Sequence, residues 1–329
     1  MSQSDSITPA AEAMWIQQMN QYGRDKIPFL FVLDFKLISP MVIPLEELSS
    51  TGVRYQIHGV PQIAFDSNNE PSIKKHPVSI QKYERGFEKV MEAIQAGDTY
   101  LLNLSYATQL EGIQNLEEIF VQAVAPYKLM VRDQFVVFSP ESFVRIEDGV
   151  IRTYPMKGTI DASLPDAEQR LLADRKEQEE HATVVDLLRN DLSIVAEKVT
   201  VERYRYITRI ETPGKSLLQC SSEITGKLPL DYHNHLGDIM NALLPAGSVT
   251  GAPKKRTVEL IESIEPEPRG YYTGVFGIFD GERLDSAVMI RMIEQRADKF
   301  YYRSGGGITY RSDAESEYQE MLDKVYLPK

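Results

Sequence analysis

One lysine and one glutamate have the chemistry and the spacing of a catalytic pair. Lys157 lies in the segment YPMKGT (154–159), 16 positions after Glu141 of a Ser-Pro-Glu turn. A lysine amine that has lost its proton is a nucleophile, and a carboxyl group with a raised pKa is a general acid. If both groups are partly buried, each shifts the protonation of the other. The pair therefore predicts covalent catalysis with an acid; the alternatives are a solvated lysine and an ordinary turn glutamate.

Two pairs of glutamates have the spacing of metal ligands. Glu177 and Glu180 are three positions apart in one predicted helix, and Glu317 and Glu320 repeat this spacing in the last one. Residues at i and i+3 share a helix face. A solvated acidic face is the alternative for each pair. Two such pairs facing each other would suit Mg²⁺, which prefers one or two carboxylates, with substrate and water completing its octahedron.

Two glycine-rich segments have the composition of anion-binding backbone. SGGGIT (304–309) follows a strand that carries Arg291, and PAGSVTGAP (245–253) precedes a predicted helix. Glycines let the backbone approach a ligand and direct N–H groups at an anion, and arginine pairs bidentately with carboxylates. The alternatives are a strand kinked by glycine and a plain connecting loop. Together with the acidic pairs, these segments predict an enzyme that acts on a small polyanion.

Composition excludes several other classes of function. The 329-residue chain has a net charge of −12, which argues against a nucleic-acid partner. The single cysteine, Cys220, rules out an intramolecular disulfide and fits a reducing cytoplasm. No apolar run approaches the length of a membrane span, and the first residues lack a signal-peptide pattern. His233 and His235 have no third ligand near them in sequence, so a zinc site is not expected.

Hydrophobic periodicity predicts the elements that must position these residues. Strands are expected at 29–35, 53–59, 100–106, 200–210 and 217–224, with four more between 127 and 154. Helices are expected at 80–96, 166–195, 232–244, 254–264 and 314–325, the last one opened by a capping box of Ser312 and Glu315. Hairpins are expected at 274–292 and 300–310. Antiparallel runs broken by helix pairs predict a mixed α/β architecture and not a Rossmann fold.

Eight motifs, in this order, resemble those of the chorismate-binding enzymes from about 77 to 327. They are IQAGDTYLLNLS (94–105), SPESFVRIEDG (139–149), YPMKGTI (154–160), KEQEEHATVVDLLRNDL (176–192), PAGSVTGAPKKR (245–256), RGYYTGVFG (269–277), AVMIRM (287–292) and SGGGITYRSDAESEYQEMLDK (304–324). The resemblance implies an α/β (α+β) fold with large, mainly antiparallel sheets flanked by helices. It also implies a short N-terminal region, 1–75, packed on a catalytic domain, 76–329. The turn formers at 66–71 mark the expected boundary.

The residue before Gly-Thr separates branches of this family. Members that make anthranilate carry Ala there, whereas PMKGT resembles the members that aminate chorismate at C4. The resemblance implies that Lys157 attacks C2 while Glu141 protonates the departing C4 hydroxyl. Ammonia then adds at C4 and expels Lys157. The alternatives are anthranilate or isochorismate formation, and a non-catalytic chorismate-binding scaffold.

The resemblance assigns the remaining site residues to a metal and to the substrate. The implied Mg²⁺ ligands are Glu180 and Glu320, with Glu177 and Glu317 close by. The implied substrate-binding residues are Thr159, Gly305 and Gly307 at the ring carboxylate, Tyr272 and Arg291 at the enolpyruvyl carboxylate, and Thr250.

Two departures from the family pattern bear on function. Gln219 stands where many members have histidine, and glutamine cannot carry a proton near neutral pH. Cys220 lies in a predicted strand and not in a nucleophile elbow, so the chain has no candidate glutaminase nucleophile. The resemblance implies that a separate glutamine amidotransferase subunit supplies ammonia. Because the N-terminal region is short, a feedback site for a free amino acid is expected to be missing or degenerate.

Overall fold

The computed structural model describes residues 9–58, 73–212 and 215–328, and eight α-helices lie within these ranges. They are α1 (Pro9–Arg24), α2 (Ile80–Gln95), α3 (Leu116–Gln122), α4 (Ala167–Ala173), α5 (Arg175–Val195), α6 (Leu236–Leu243), α7 (Lys254–Ile264) and α8 (Ala314–Asp323). Among these residues no helix combines the length and the apolar composition needed to cross a bilayer.

The same ranges hold seventeen strands. They are β1 (Phe29–Leu33), β2 (Met41–Pro44), β3 (Val53–Ile57), β4 (Lys74–His76), β5 (Leu101–Glu111), β6 (Tyr127–Val131), β7 (Phe135–Ser139), β8 (Ser142–Glu147), β9 (Val150–Thr153), β10 (Met156–Asp161), β11 (Glu197–Thr212), β12 (Lys215–Lys227), β13 (Gly251–Ala252), β14 (Val275–Phe279), β15 (Leu284–Val288), β16 (Met292–Arg296) and β17 (Lys299–Ile308).

The chain forms two compact units, each built on one antiparallel sheet. The first unit contains Met1–Leu48, Ser142–Ala246 and Gly274–Ala287. Its sheet has the order β10-β12-β9-β8-β15-β14-β1-β2, with β11 paired to β12. The predicted class, large antiparallel sheets with flanking helices, is confirmed.

The second unit contains Ser49–Glu141, Gly247–Thr273 and Val288–Lys329. Its sheet has the order β13-β5-β17-β16-β7-β6-β3, with β4 paired to β5. Both units contain residues from either side of the predicted division at 75/76. The assignment of 1–75 to an N-terminal region and of 76–329 to a catalytic domain stays a prediction. The boundary expected at 66–71 lies outside the described residues.

Most predicted elements are confirmed, because their periodic patterns are long. The helix predicted at 80–96 is α2, and its apolar side buries Tyr83, Phe87 and Val90. The helix predicted at 254–264 is α7. The single helical stretch predicted at 166–195 is wrong: Asp174 leaves the helical conformation, with ψ 116°, and its carboxylate accepts from the Glu177 N–H to begin α5. Asp174 therefore ends α4 and caps α5, and it divides one periodic run into two helices.

Two predictions near the C-terminus are wrong. The hairpin expected at 300–310 is one continuous strand, β17, whose partner β16 lies before it in the chain. The glycines at 305–307 do not turn the chain; they keep β17 close to β5. The capping box is also absent from α8, whose first turn is capped by Asp313, while Ser312 Oγ donates to Glu317 at 2.8 Å. In β17 a distant strand overrides the local pattern, whereas in α8 the neighbouring Asp313 takes the capping role that was expected of Ser312.

Candidate active site

Lys157 lies on a β-bulge at the edge of the first sheet. Met156 pairs with Ser221 and Thr159 pairs with Gln219, so β10 carries one extra residue between these two pairs. Gly158 takes the left-handed conformation, with φ +79°, that such a bulge requires. A bulge of this kind changes the direction of the side chains beside it. The Gly-Thr that follows Lys157 thus has a structural role in presenting the lysine.

The amine of Lys157 contacts one of the predicted metal ligands. Lys157 Nζ donates to Glu180 Oε2 at 3.0 Å, and Lys176 Nζ lies 3.8 Å from the other carboxylate oxygen. The Lys157 side chain is 31% exposed and that of Glu180 is 19% exposed. The predicted nucleophile therefore lies at the N-terminal part of α5 and remains reachable from solvent.

Glu177 brings a second carboxylate to the same place. Its Oε2 lies 2.9 Å from the position that a Cβ on Gly158 would occupy. Burial raises the pKa of Glu177, the neighbouring Glu180 raises it further, and Lys157 opposes this rise. A bound cation would relieve the same cost of burying two carboxylates, so the donor set fits a hard metal ion.

The metal itself stays a prediction. Within 9–58, 73–212 and 215–328, no three His, Cys, Asp or Glu side chains form a group that could hold a metal ion. Magnesium commonly takes only one or two protein carboxylates and completes its shell with substrate and water. Each pair by itself, the one on α5 or the one on α8, supplies that number of carboxylates.

The sequence reasoning missed His181, which anchors α5. This side chain is fully buried and its Nε2 lies 2.7 Å from Ser222 Oγ on β12. Burial lowers its pKa to about 4, and the nearby Arg205 adds to the effect. Its spacing from Val184 and Leu188 places it on the buried face of the helix, so the sequence pattern could have predicted its burial. A neutral histidine thus fixes the helix segment that carries the acidic pair.

In the second unit the other acidic pair lies over the glycine stretch of β17. Glu317 is 5% exposed and Glu320 accepts from Lys324 Nζ at 2.7 Å. A Cβ on Gly306 would lie 3.2 Å from Glu317 Oε2 and 3.8 Å from Glu320 Oε1. Gly306 is therefore the glycine that faces this pair, and the sequence reasoning did not single it out. The roles predicted for Gly305 and Gly307 stay predictions.

The glycine stretch also lies beyond the end of a neighbouring strand. β16 pairs with β17 only as far as the register Met292↔Arg303, whereas β5 pairs with it through Ile308. A Cβ on Gly305 would lie 2.3 Å from the Leu104 carbonyl oxygen, so this position must be glycine. The strand thus presents glycine backbone past the edge of β16, the kind of surface on which N–H groups bind an anion.

The predicted acid contacts the Gly/Ser/Thr loop of its own unit. Glu141 Oε1 accepts from Ser248 Oγ at 2.6 Å, and its backbone carbonyl accepts from Val288 N–H at 3.1 Å. Thr250, in the same loop, is fully buried and its carbonyl accepts from Asn103 N–H at 2.9 Å. Glu141 belongs to the second unit and Lys157 to the first, so their expected mutual effect on protonation stays a prediction.

Of the predicted carboxylate-binding pair, Arg291 lies in strained backbone and Tyr272 lies directly before a strained residue. Tyr272 is buried, and burial raises its pKa to about 12. The next residue, Thr273, has φ +62°, and Arg291 has φ +54°, a conformation that non-glycine residues seldom adopt. Among the described residues the buried Nε of Arg291 has no hydrogen-bond partner. These features suit the predicted contact with a substrate carboxylate, and that role of Arg291 stays a prediction.

Comparisons with known proteins identify the family of this chain. A family model described as chorismate binding enzyme matches residues 45–328. An uncharacterized PabA-like protein of Haemophilus influenzae is 52% identical over 315 residues, covering 95% of this chain and 96% of that one. Aminodeoxychorismate synthase component 1 of Salmonella typhimurium is 34% identical over 258 residues, covering 74% of this chain and 56% of the relative. The chain thus spans little more than half the length of that enzyme.

A solved structure gives the same likeness. The crystal structure of anthranilate synthase component I from Streptococcus pneumoniae superposes with a TM-score of 0.68 at 28% sequence identity. The match covers 90% of this chain and 70% of that one.

The bulge glycine provides a test of the Lys157 geometry. Gly158→Ala should lower chorismate turnover more than tenfold and lower the unfolding midpoint, because the added Cβ meets Glu177 in a left-handed backbone. Gly97→Ala is the matched control, since Gly97 has φ +78° but open space around its Cβ position. It should show the backbone penalty alone and retain turnover. Equal turnover in the two variants would contradict the assigned role of the bulge.

Proposed function

We propose that this chain, which belongs to the chorismate-binding enzymes, is an aminodeoxychorismate synthase component I. It converts chorismate and ammonia to 4-amino-4-deoxychorismate, a step of p-aminobenzoate and folate synthesis. The observation that carries the proposal is Lys157 on the β10 bulge, with its amine 3.0 Å from Glu180. The 34% identity to the Salmonella enzyme of that name supports it.

The proposed reaction uses Lys157 twice. Its neutral amine forms a bond to C2, the ring double bond shifts, and the C4 oxygen leaves as water with a proton from Glu141. Ammonia then bonds to C4, the double bond shifts back, and the C2–N bond to Lys157 breaks. Atoms balance as chorismate plus ammonia giving 4-amino-4-deoxychorismate plus water. Ser248, which donates to the Glu141 carboxylate, orients the acid.

Magnesium belongs to the proposal through the two acidic pairs. Glu180 and Glu320 would bind it, with Glu177 and Glu317 in support, and the bound ion would neutralise the ring carboxylate of the substrate. The protein supplies the rest of the charge balance: Arg291 for the second carboxylate, and glycine backbone beside Gly306.

The ammonia source and the location complete the proposal. Cys220 is the only cysteine of the chain; it is buried in β12, and burial raises the pKa of its thiol. A buried thiol with a raised pKa is not a glutaminase nucleophile. We therefore assign glutamine hydrolysis to a separate amidotransferase subunit, and place both proteins in the cytoplasm, where a single reduced cysteine is ordinary.

Anthranilate synthesis is the second candidate, because the fold and 28% of residues match an anthranilate synthase component I. Lys157 weighs against it: with the lysine occupying C2, ammonia is directed to C4. Product identity separates the two functions directly.

The lysine makes a first prediction for this function. Lys157→Ala and Lys157→Arg should both lose nearly all 4-amino-4-deoxychorismate formation, since neither side chain is a nucleophilic amine at working pH. Lys176→Ala is the matched control, because Lys176 also contacts Glu180, and it should keep the activity. Mass spectrometry of the parent protein with chorismate, Mg²⁺ and no ammonia should show an adduct on the Lys157 peptide. A fully active Lys157→Arg with no adduct in the parent would refute the covalent step.

Metal dependence makes a second prediction. Glu180→Gln and Glu320→Gln should abolish turnover without unfolding the protein, because each removes a proposed ligand charge. Glu179→Gln and Glu315→Gln, on the same two helices, are the controls and should retain it. Chelation by EDTA should stop the reaction, and added Mg²⁺ should restore it. Undiminished turnover in EDTA would remove the metal from the proposal.

The missing glutaminase makes a third prediction. The purified chain should form product from chorismate and an ammonium salt but not from chorismate and glutamine. Adding an amidotransferase partner should restore the glutamine-dependent reaction. Hydrolysis of glutamine by the chain alone would show that the partner is not needed.

A further inference from the structure

The segment after α8 returns to the second unit and places one aromatic residue. Val325 is buried, and Val124 N–H donates to the Pro328 carbonyl at 3.1 Å. Between these anchors Tyr326 is 46% exposed, and its ring lies under the Arg291 guanidinium, with Cζ 5.4 Å from the ring centroid. The C-terminal segment therefore supplies a stacking partner for the arginine that is expected to bind a carboxylate.

Arg291 is surrounded by phenols. Burial lowers its pKa, but the neighbouring Tyr302 and Tyr326 raise it more, so the pKa of Arg291 lies above its usual value. Tyr272 also lies near the guanidinium. In the part of the chain that the structure describes, the Nε of Arg291 has no hydrogen-bond partner. The guanidinium is held by aromatic contacts and retains N–H groups for a ligand.

The geometry points to Tyr326 as a positioning residue that prepares Arg291 for a substrate carboxylate. A guanidinium presents its donors in a rigid planar fork, so fixing its plane fixes the direction of a bidentate contact. The Tyr326 ring covers one face of the fork, and the Nε of the fork has no hydrogen-bond partner among the described residues. The Nε edge then remains for the carboxylate. This inference deepens the proposed function and rests on it for the identity of the substrate.

The test compares steady-state constants for chorismate in matched variants. Tyr326→Ala should raise KM about tenfold, in keeping with the loss of one cation–π contact, and leave kcat within about twofold. Tyr326→Phe keeps the ring and loses only the hydroxyl. Its KM should therefore lie between those of the parent and of Tyr326→Ala, and close to that of the parent. Tyr301→Ala is the control, because the Tyr301 ring lies 4.7 Å from the Arg296 guanidinium in the same unit. It should leave both constants unchanged.

A double-mutant cycle shows whether Tyr326 acts through Arg291. In an Arg291→Lys background the fork is gone, so Tyr326→Ala should no longer raise KM. An unchanged KM in Tyr326→Ala, a loss confined to kcat, or an equal effect in both backgrounds would overturn the inference. If Tyr326→Ala does not fold, a KM for Tyr326→Phe at or above ten times the parent value would also overturn it.

Product mass tests the proposed function separately from the role of Tyr326. Product mass identifies what the parent makes, and a product other than 4-amino-4-deoxychorismate rejects that function while the KM comparison still decides the role of Tyr326. If no product forms, calorimetric dissociation constants for chorismate in the same variants replace KM. The same tenfold weakening is expected in Tyr326→Ala, and equal affinity in parent and variant overturns the inference.

Discussion

The buried ion pair of Glu265 and Arg269 is the interaction on which the second unit depends. Their side chains are 2% and 1% exposed, and two guanidinium nitrogens contact the carboxylate at 3.0 and 2.7 Å. The same guanidinium donates to the carbonyls of Val249 and Asn103 and to Thr273 Oγ1. Removing either charge would strand the other in the interior, which typically costs about 3–5 kcal/mol. One side chain thus joins the end of α7, the loop before it, β5 and the segment before β14.

The points that this arginine joins are neighbours of the predicted substrate residues. Thr250 follows Val249, Tyr272 precedes Thr273, and Gly307 pairs with Asn103 in the register of β5 and β17. Each of these three residues is therefore the chain neighbour or the strand partner of a residue that the Arg269 guanidinium contacts. A rigid positioning shell of this kind holds binding groups in place. The ion pair itself carries none of the predicted chemistry.

The sequence predicted elements well where one pattern repeats over many residues, as in α2 and α7. It failed where a distant strand decides the conformation: nothing local to Gly305 shows that the Leu104 carbonyl excludes a Cβ there and keeps β17 extended. The candidate residues came mostly from resemblance, since spacing alone could not distinguish an acidic pair from a solvated face. The contact of Lys157 with Glu180 spans 23 positions, and it joins the bulge of β10 to α5 in a way that no local pattern shows. His181 was readable from periodicity and was overlooked.

Strain at the site was only half visible in the sequence. The left-handed backbone at Gly158 could be expected from the sequence, because glycine adopts this conformation without penalty. Thr273 and Arg291 have the same left-handed backbone conformation although they carry side chains, and their residue types do not predict it. They persist because contacts over-determine them: Thr273 N–H donates to the Met289 carbonyl, its hydroxyl accepts from Arg269, and the Arg291 carbonyl accepts from Phe138 N–H. The backbone that directs Arg291 is therefore fixed by the framework of the second unit, including its buried ion pair, before any ligand binds.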